Sequence, residues 1–227
     1  WINKALERAQ QKVEARNFDI RKSLLQFDDV MNDQRHVIFN QRNSVISKNN
    51  VDEIIEIFID EVVGKLNLQR AEAIKENSLE KFKASIKNFA GRTLEKDEDF
   101  QKTLKDEKKF VIFLKEIITN KRKDRIKKIS AESNLELEKR IFLQTLDYLW
   151  RSHLQYLEEL RQVIGLRSYG QKDPLVEFKK ESFSLFENLL EKLKYDLVLF
   201  LNNISVVESD RENEPEKTKT FSQPLKE

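Results

Sequence analysis

Residues 143–190 read LQTLDYLWRSHLQYLEELRQVIGLRSYGQKDPLVEFKKESFSLFENLL, and they decide the fold. Phe142, Leu146, Leu149, His153, Leu157, Leu160 and Ile164 follow one another at steps of 4, 3, 4, 4, 3 and 4. That spacing keeps them on one face of an α-helix. Leu175, Phe178, Ser182, Phe186, Leu189, Leu193, Leu197, Phe200 and Ile204 form a second such stripe. Between the stripes lies VIGLRSYGQKDP, residues 163–174, a loop holding two of the four glycines in the chain. Asp173 before Pro174 predicts an N-cap and a first helical residue. The carboxylate accepts from the free amides of the first turn, and proline lacks an amide that would be orphaned there. Two long helices with a short link run antiparallel and press their stripes together. Residues 131–205 therefore read as a two-helix hairpin.

Upstream, residues 1–50 carry neither Gly nor Pro. Ile2, Leu6, Ala9, Val13, Ile20, Leu24, Phe27, Met31 and Ile38 keep mostly helical spacing, with gaps at Arg16 and Gln34. They predict one amphipathic rod, about 70 Å long at 1.5 Å per residue. Residues 51–130 read as a small helical subdomain in three pieces: 51–63 with Gly64 as C-cap, 78–90 with Ser78 as N-cap and Gly91 beyond, and 98–129. After Ser205 the chain turns polar and gains Pro215 and Pro224, so 206–227 reads as a disordered tail. The fold class is all-α.

Composition agrees and excludes several functions. Lys+Arg number 42 and Asp+Glu 40, a net charge of only +2, which argues against a nucleic-acid binder. There is no Cys, hence no disulfide framework or thiolate metal site. No apolar run reaches the roughly 20 residues a membrane-spanning helix needs, and no signal peptide is visible. Four Gly in 227 residues leave little material for phosphate loops. In the one Gly-Lys pair, Gly64-Lys65, Leu66 follows where a P-loop needs Ser or Thr. No catalytic, cofactor or metal residue is expected in this chain. Trp1 at the start and Met31 as the sole methionine predict a piece of a longer protein.

The candidate sites divide unevenly. His153 lies on an apolar stripe and reads as a core histidine rather than a ligand, and His36 has no partner at ligand spacing. Asp28 and Asp29 point about 100° apart on a helix and do not converge on a metal; pairing with Arg21, Lys22, Arg35 or another domain is the better reading. The basic run Lys121–Lys128 reads as a solvated helix face, with phosphate contact as the alternative. The hairpin tip differs, because Arg161, Arg167 and Lys172 flank Tyr169, an aromatic beside Gly170. Either Tyr169 folds back on its own helices or it meets a partner; a broad ring with a hydroxyl favours the partner.

KALERAQQKVEARNFDIRKSLLQFDDVMNDQR, residues 4–35, resembles the long scaffold helix of the SecA family, and residues 143–190 resemble its two-helix finger. Residues 51–130 match its helical wing in position and helical character. The resemblance implies an ATP-driven motor that exports unfolded preproteins through the SecY channel. It would be cytoplasmic and peripheral at the inner face of the plasma membrane, with a homodimer possible. ATP and Mg²⁺ would be bound by motor domains outside this chain. It further implies channel or preprotein contact at the tip by Tyr169, Arg167, Gln171 and Lys172, and interdomain contact along the rod by Arg16, Asp19, Arg21, Asp28 and Asp29. The family tip usually reads GIHLRGYAQKDP; Val163, Gly165, Ser168 and Gly170 depart from it. The rival reading is a stand-alone helical scaffold or adaptor without a motor.

Overall fold

The computed structural model describes residues 1–47, 51–90 and 98–204, and all their regular structure is helical. Helix α1 is unbroken over Ile2–Ser47, as expected from its Gly- and Pro-free stripe. Its two halves live differently. Residues 1–26 are all exposed, Ile2, Leu6, Val13, Ile20 and Leu24 among them. From Phe27 onward the same stripe packs on the hairpin, and Ile38 and Val45 are fully buried.

Helix α2 spans Val51–Lys75, so Gly64 does not end a helix at residue 63. The stripe Val51, Ile55, Phe58, Val62, Leu66 continues straight past it into Arg70 and Ala73, all buried. The end comes at Asn77, in the left-handed region at φ 55. There Ser78 N–H bonds Ala73 O at 2.9 Å and Asn77 N–H bonds Ile74 O at 3.4 Å, a Schellman closure. Helix α3, Leu79–Ala90, starts directly after Ser78 as expected. Gly91 lies outside the described residues, as does the tail from 205 onward.

The expected helix over 98–129 is two helices, α4 (Glu98–Thr103) and α5 (Glu107–Ile129). Asp106 breaks them. Its carboxylate accepts from the amides of Lys108 and Lys109 at 3.0 and 3.3 Å, a better use of a short acid than a helix interior. Those amide bonds, Lys109 first, hold the Asp106 carboxyl below its usual range.

Helix α6, Ala131–Ile164, and helix α7, Pro174–Asn203, form the antiparallel hairpin. The first stripe is buried as read, with Leu160 only partly so. The second slips at its end: Phe200 is exposed, while Leu201, four residues after Leu197, is buried. One large core joins the end of α1, helices α2–α5 and the base of the hairpin, through Ile55, Phe110, Phe142, Leu146 and Leu193. It runs without a break across residue 130. A smaller core of Leu157, Ile164 and Phe178 sits toward the tip, closed by Phe27, Val30 and Met31 of α1.

The basic run on α5 is the solvated face expected from its charge only in part: Lys123, Lys127 and Lys128 are exposed, but Arg122 and Arg125 turn inward. Arg122 and Arg125 continue the inward stripe of Phe110, Leu114 and Ile118. Both guanidinium groups meet the fully buried Glu138: Arg122 at 2.9 and 2.6 Å, and Arg125 at 2.6 Å. Arg125 also donates to Asn134 Oδ1 at 2.6 Å and to the carbonyl of Leu201, and Arg122 reaches Asp52. Four helices are thus tied at one carboxylate. The hydrogen bonds to Glu138, followed by its charge and that of Asp52, raise the Arg122 pKa against the opposing effect of burial.

Candidate functional site

The hairpin tip is a built structure rather than a slack loop. Helix α6 runs to Ile164, which is 2% exposed and anchors the tip in the small core. The chain then tightens into a 3₁₀ segment, Gly165–Gly170. Ser168 Oγ donates to Gly165 O at 2.7 Å, and Gln171 N–H donates to Ser168 O at 3.1 Å. Gly165 has helical φ, −57°, so the left-handed turn falls on Gln171 at φ 58 instead. Asp173 then caps α7 as the sequence predicts, accepting from Leu175 N at 2.8 Å and Val176 N at 3.4 Å.

On this platform Tyr169 projects outward, 89% exposed, so it does not fold back on its own helices. In a 3₁₀ segment residues three apart eclipse one another. Leu166 and Tyr169 have that spacing, and both are exposed, as is Val163 at the end of α6. The neighbouring cations are ion-paired yet about half exposed. Arg167 Nη2 lies 2.7 Å from Glu181 Oε1, and Lys172 Nζ lies 3.3 Å from Glu177 Oε2. Tyr169, Arg167, Gln171 and Lys172 thus share the tip as chain neighbours, with Arg167 and Lys172 turned to acids of α7. Glu177 and Glu181 were not singled out there, although their four-residue spacing puts both on one face of α7. Chemically the tip offers an apolar ring with a free-standing hydroxyl and largely compensated charge.

The rod residues are not gathered in the same way. Arg16, Asp19, Arg21 and Asp29 are exposed along α1. Asp28 reaches Arg161 of α6 at 3.4 Å, not Arg21, Lys22 or Arg35. The reason is geometric, since α1 packs beside the hairpin from Phe27 on. The Phe27 ring meets Phe178 edge-on at 4.9 Å.

His153 is a core histidine. Its Nε2 lies 2.7 Å from Gln34 Oε1, and Gln34 Nε2 donates to Ser182 O at 3.2 Å. That arrangement leaves Oε1 as the acceptor, so Nε2 of His153 carries the hydrogen. Burial between Trp150 and Phe186 lowers its pKa to about 4, keeping the ring neutral. His36 is exposed beside Asn32 at 3.3 Å. Among the described residues, no group of three or more His, Cys, Asp or Glu side chains could hold a metal ion. Gly64 and Lys65 do not fit a nucleotide phosphate, for they sit inside α2, where backbone amides are spent on helix bonds, and Lys65 is engaged by Glu191. No described helix is long and apolar enough to cross a membrane.

Comparison with known proteins agrees with the resemblance. Residues 1–205 match the family described as SecA wing and scaffold domain. The whole chain is 50% identical over 228 aligned residues to the protein translocase subunit SecA of Pelagibacter ubique (strain HTCC1062), covering 26% of that protein. It is 43% identical to protein translocase subunit SecA 1 of Rhodopseudomonas palustris (strain BisA53), with 95% of this chain and 23% of that protein covered. It is 44% identical to protein translocase subunit SecA of Wolbachia pipientis wMel, with 86% and 22% covered. The chain spans about a quarter of the length of these curated relatives.

Proposed function

The chain belongs to the SecA wing and scaffold family, and we propose that it is the part of a preprotein-translocating motor that carries motion from the motor domains to the moving chain. Residues 1–50 act as the scaffold helix, 51–130 as the wing, 131–205 as the finger, and 206–227 as a tail. ATP and Mg²⁺ are bound outside these residues, and no chemical step falls to them. The exposed half of α1, with Ile2, Leu6, Val13, Ile20 and Leu24 on one stripe, seats the motor domains. Arg16, Asp19 and Arg21 add polar contacts there, with Asp28 and Asp29 just beyond that half, where Asp28 also meets Arg161 of the hairpin. Its continuity with the half already packed on the finger supports that role: a rod gripped at both ends transmits a push.

At the other end the finger reaches the mouth of the SecY channel from the cytoplasmic face, peripheral to the membrane. The tip meets unfolded preproteins there through Tyr169, with Arg167, Gln171 and Lys172 around it. The observation that carries the reading is Tyr169 itself, 89% exposed on a segment anchored by buried Ile164. A ring grips a passing chain by apolar contact, and its hydroxyl bonds any backbone group. Neither demands a particular sequence, which suits a motor with many substrates. A second copy of the full-length protein is a further partner; nucleic acid is not.

The test is preprotein transport into membrane vesicles by the full-length protein carrying Tyr169→Ala. Transport is expected to fall severalfold, with folding stability within about 0.5 kcal/mol of the parent, as for a surface change. Tyr169→Phe is expected to keep most of the activity, because the ring remains. Normal transport by Tyr169→Ala overturns the proposal. So does a large loss of stability, which would make the residue structural.

A further inference from the structure

The two cations that bracket Tyr169 are both tied to one face of α7. Arg167, two residues before it, pairs with Glu181 at 2.7 Å and approaches Glu177 at 3.8 Å. Lys172, three residues after it, pairs with the same Glu177 oxygen at 3.3 Å. Glu177 is the more enclosed acid, its side chain 18% exposed against 33% for Glu181. The ties span a strained point, because Gln171 holds φ 58 without being glycine. A strained residue persists only where its surroundings over-determine it. One backbone bond, Gln171 N–H to Ser168 O at 3.1 Å, is flanked here by the two side-chain ties.

We propose that Glu177, assisted by Glu181, is the positioning residue of the fingertip. By clamping Arg167 and Lys172 against α7 it fixes the 3₁₀ turn and so the direction in which Tyr169 projects. The clamp also pairs the two cations with acids of α7, leaving Leu166 and Tyr169 as the exposed apolar groups of the tip. The proposal rests on the reading of Tyr169 as the contact residue, and it adds the device that aims that residue.

The experiment uses the full-length protein with 3-fluorotyrosine placed at residue 169 alone, read by ¹⁹F NMR, alongside vesicle transport. Glu177→Gln is expected to move and narrow the Tyr169 resonance while the unfolding temperature stays at the parent value. Glu181→Gln, farther from the first turn of α7, is expected to do the same to a smaller extent. Transport by Glu177→Gln is expected to fall about two- to fivefold, the size an exposed ion pair carries. In a Tyr169→Ala background the same change is expected to cost nothing further, because the residue it aims is gone. An unmoved resonance in both variants overturns the clamp, whatever transport does. An equal further loss in the Tyr169→Ala background also overturns it, since Glu177 would then act independently. Normal transport by Tyr169→Ala would defeat the contact reading instead, and the ¹⁹F result alone would then decide whether the clamp exists.

Discussion

His153 shows how a polar residue lives on an apolar stripe. It sits where α1 crosses both hairpin helices, and Gln34 bridges it to the Ser182 carbonyl. A polar residue on a helix seam costs stability but allows only one register, because a slip of one turn would strand it. Its neutrality has a measurable consequence. In the unfolded chain the imidazole protonates near its ordinary 6.5; in the folded chain that waits until about 4. Between these values the unfolded state holds the extra proton, so stability is full above about pH 6.5 and declines as pH falls toward 4. The loss attributable to this one ring is expected to be about 1–3 kcal/mol. Urea unfolding at pH 7 and pH 4.5, for the parent and for His153→Asn, checks it: the drop should be smaller in the variant by that amount. Equal drops would mean the ring titrates normally.

At the scale of the helix, Gly64 is informative because local chemistry and periodicity disagree there. A glycine after an apolar run reads as a C-cap, yet the stripe from Val51 to Ala73 keeps helical steps through it. Packing decides, since Leu66 and Ala73 are both buried beyond it. Gly64 therefore occupies an exposed helix interior, and a Cβ built on it meets nothing within 4 Å. Gly64→Ala is expected to stabilise the protein by about 0.5–1 kcal/mol, the propensity difference in an open helix. Thermal denaturation measures this, and a loss of stability would show that the residue ends a helix after all. The same tension explains the other misread elements. Asp106 was legible as a cap only if one doubted a long helix over 98–129. Arg122 and Arg125 were passed over as surface charge, although they continue the α5 stripe at helical spacing. The hairpin and the rod were legible because their stripes are long and free of Gly and Pro. The 3₁₀ tip was not, since its ion pairs from Arg167 and Lys172 to Glu177 and Glu181 join residues five to fourteen apart and leave no periodic signal.

In the whole molecule, the buried Glu138 holds α2, α5, α6 and α7 together through Arg122 and Arg125. Removing its charge leaves two guanidinium groups partly uncompensated in a desolvated place. Glu138→Gln is expected to cost about 3–5 kcal/mol by urea unfolding, the usual range for breaking one side of a buried pair. A change below about 1 kcal/mol would place the network among ordinary surface pairs. That tie sits in the core shared by residues 51–130 and the base of the hairpin. The far half of the hairpin depends on α1 instead, through Phe27, Val30 and Met31. The hairpin thus has its base packed on α2–α5 and its far half leaning on α1. On the proposed function, this packing carries movement of α1 to the tip. The most direct measurement is site-specific photocrosslinking in the full-length protein during arrested preprotein transport. A benzophenone amino acid at position 169 is expected to give an adduct with the arrested preprotein in the presence of ATP. The same probe at position 148, an exposed tyrosine on the shank of α6, is expected to give little. No adduct at 169, or equal adducts at 169 and 148, would contradict the assignment of the tip as the point of contact.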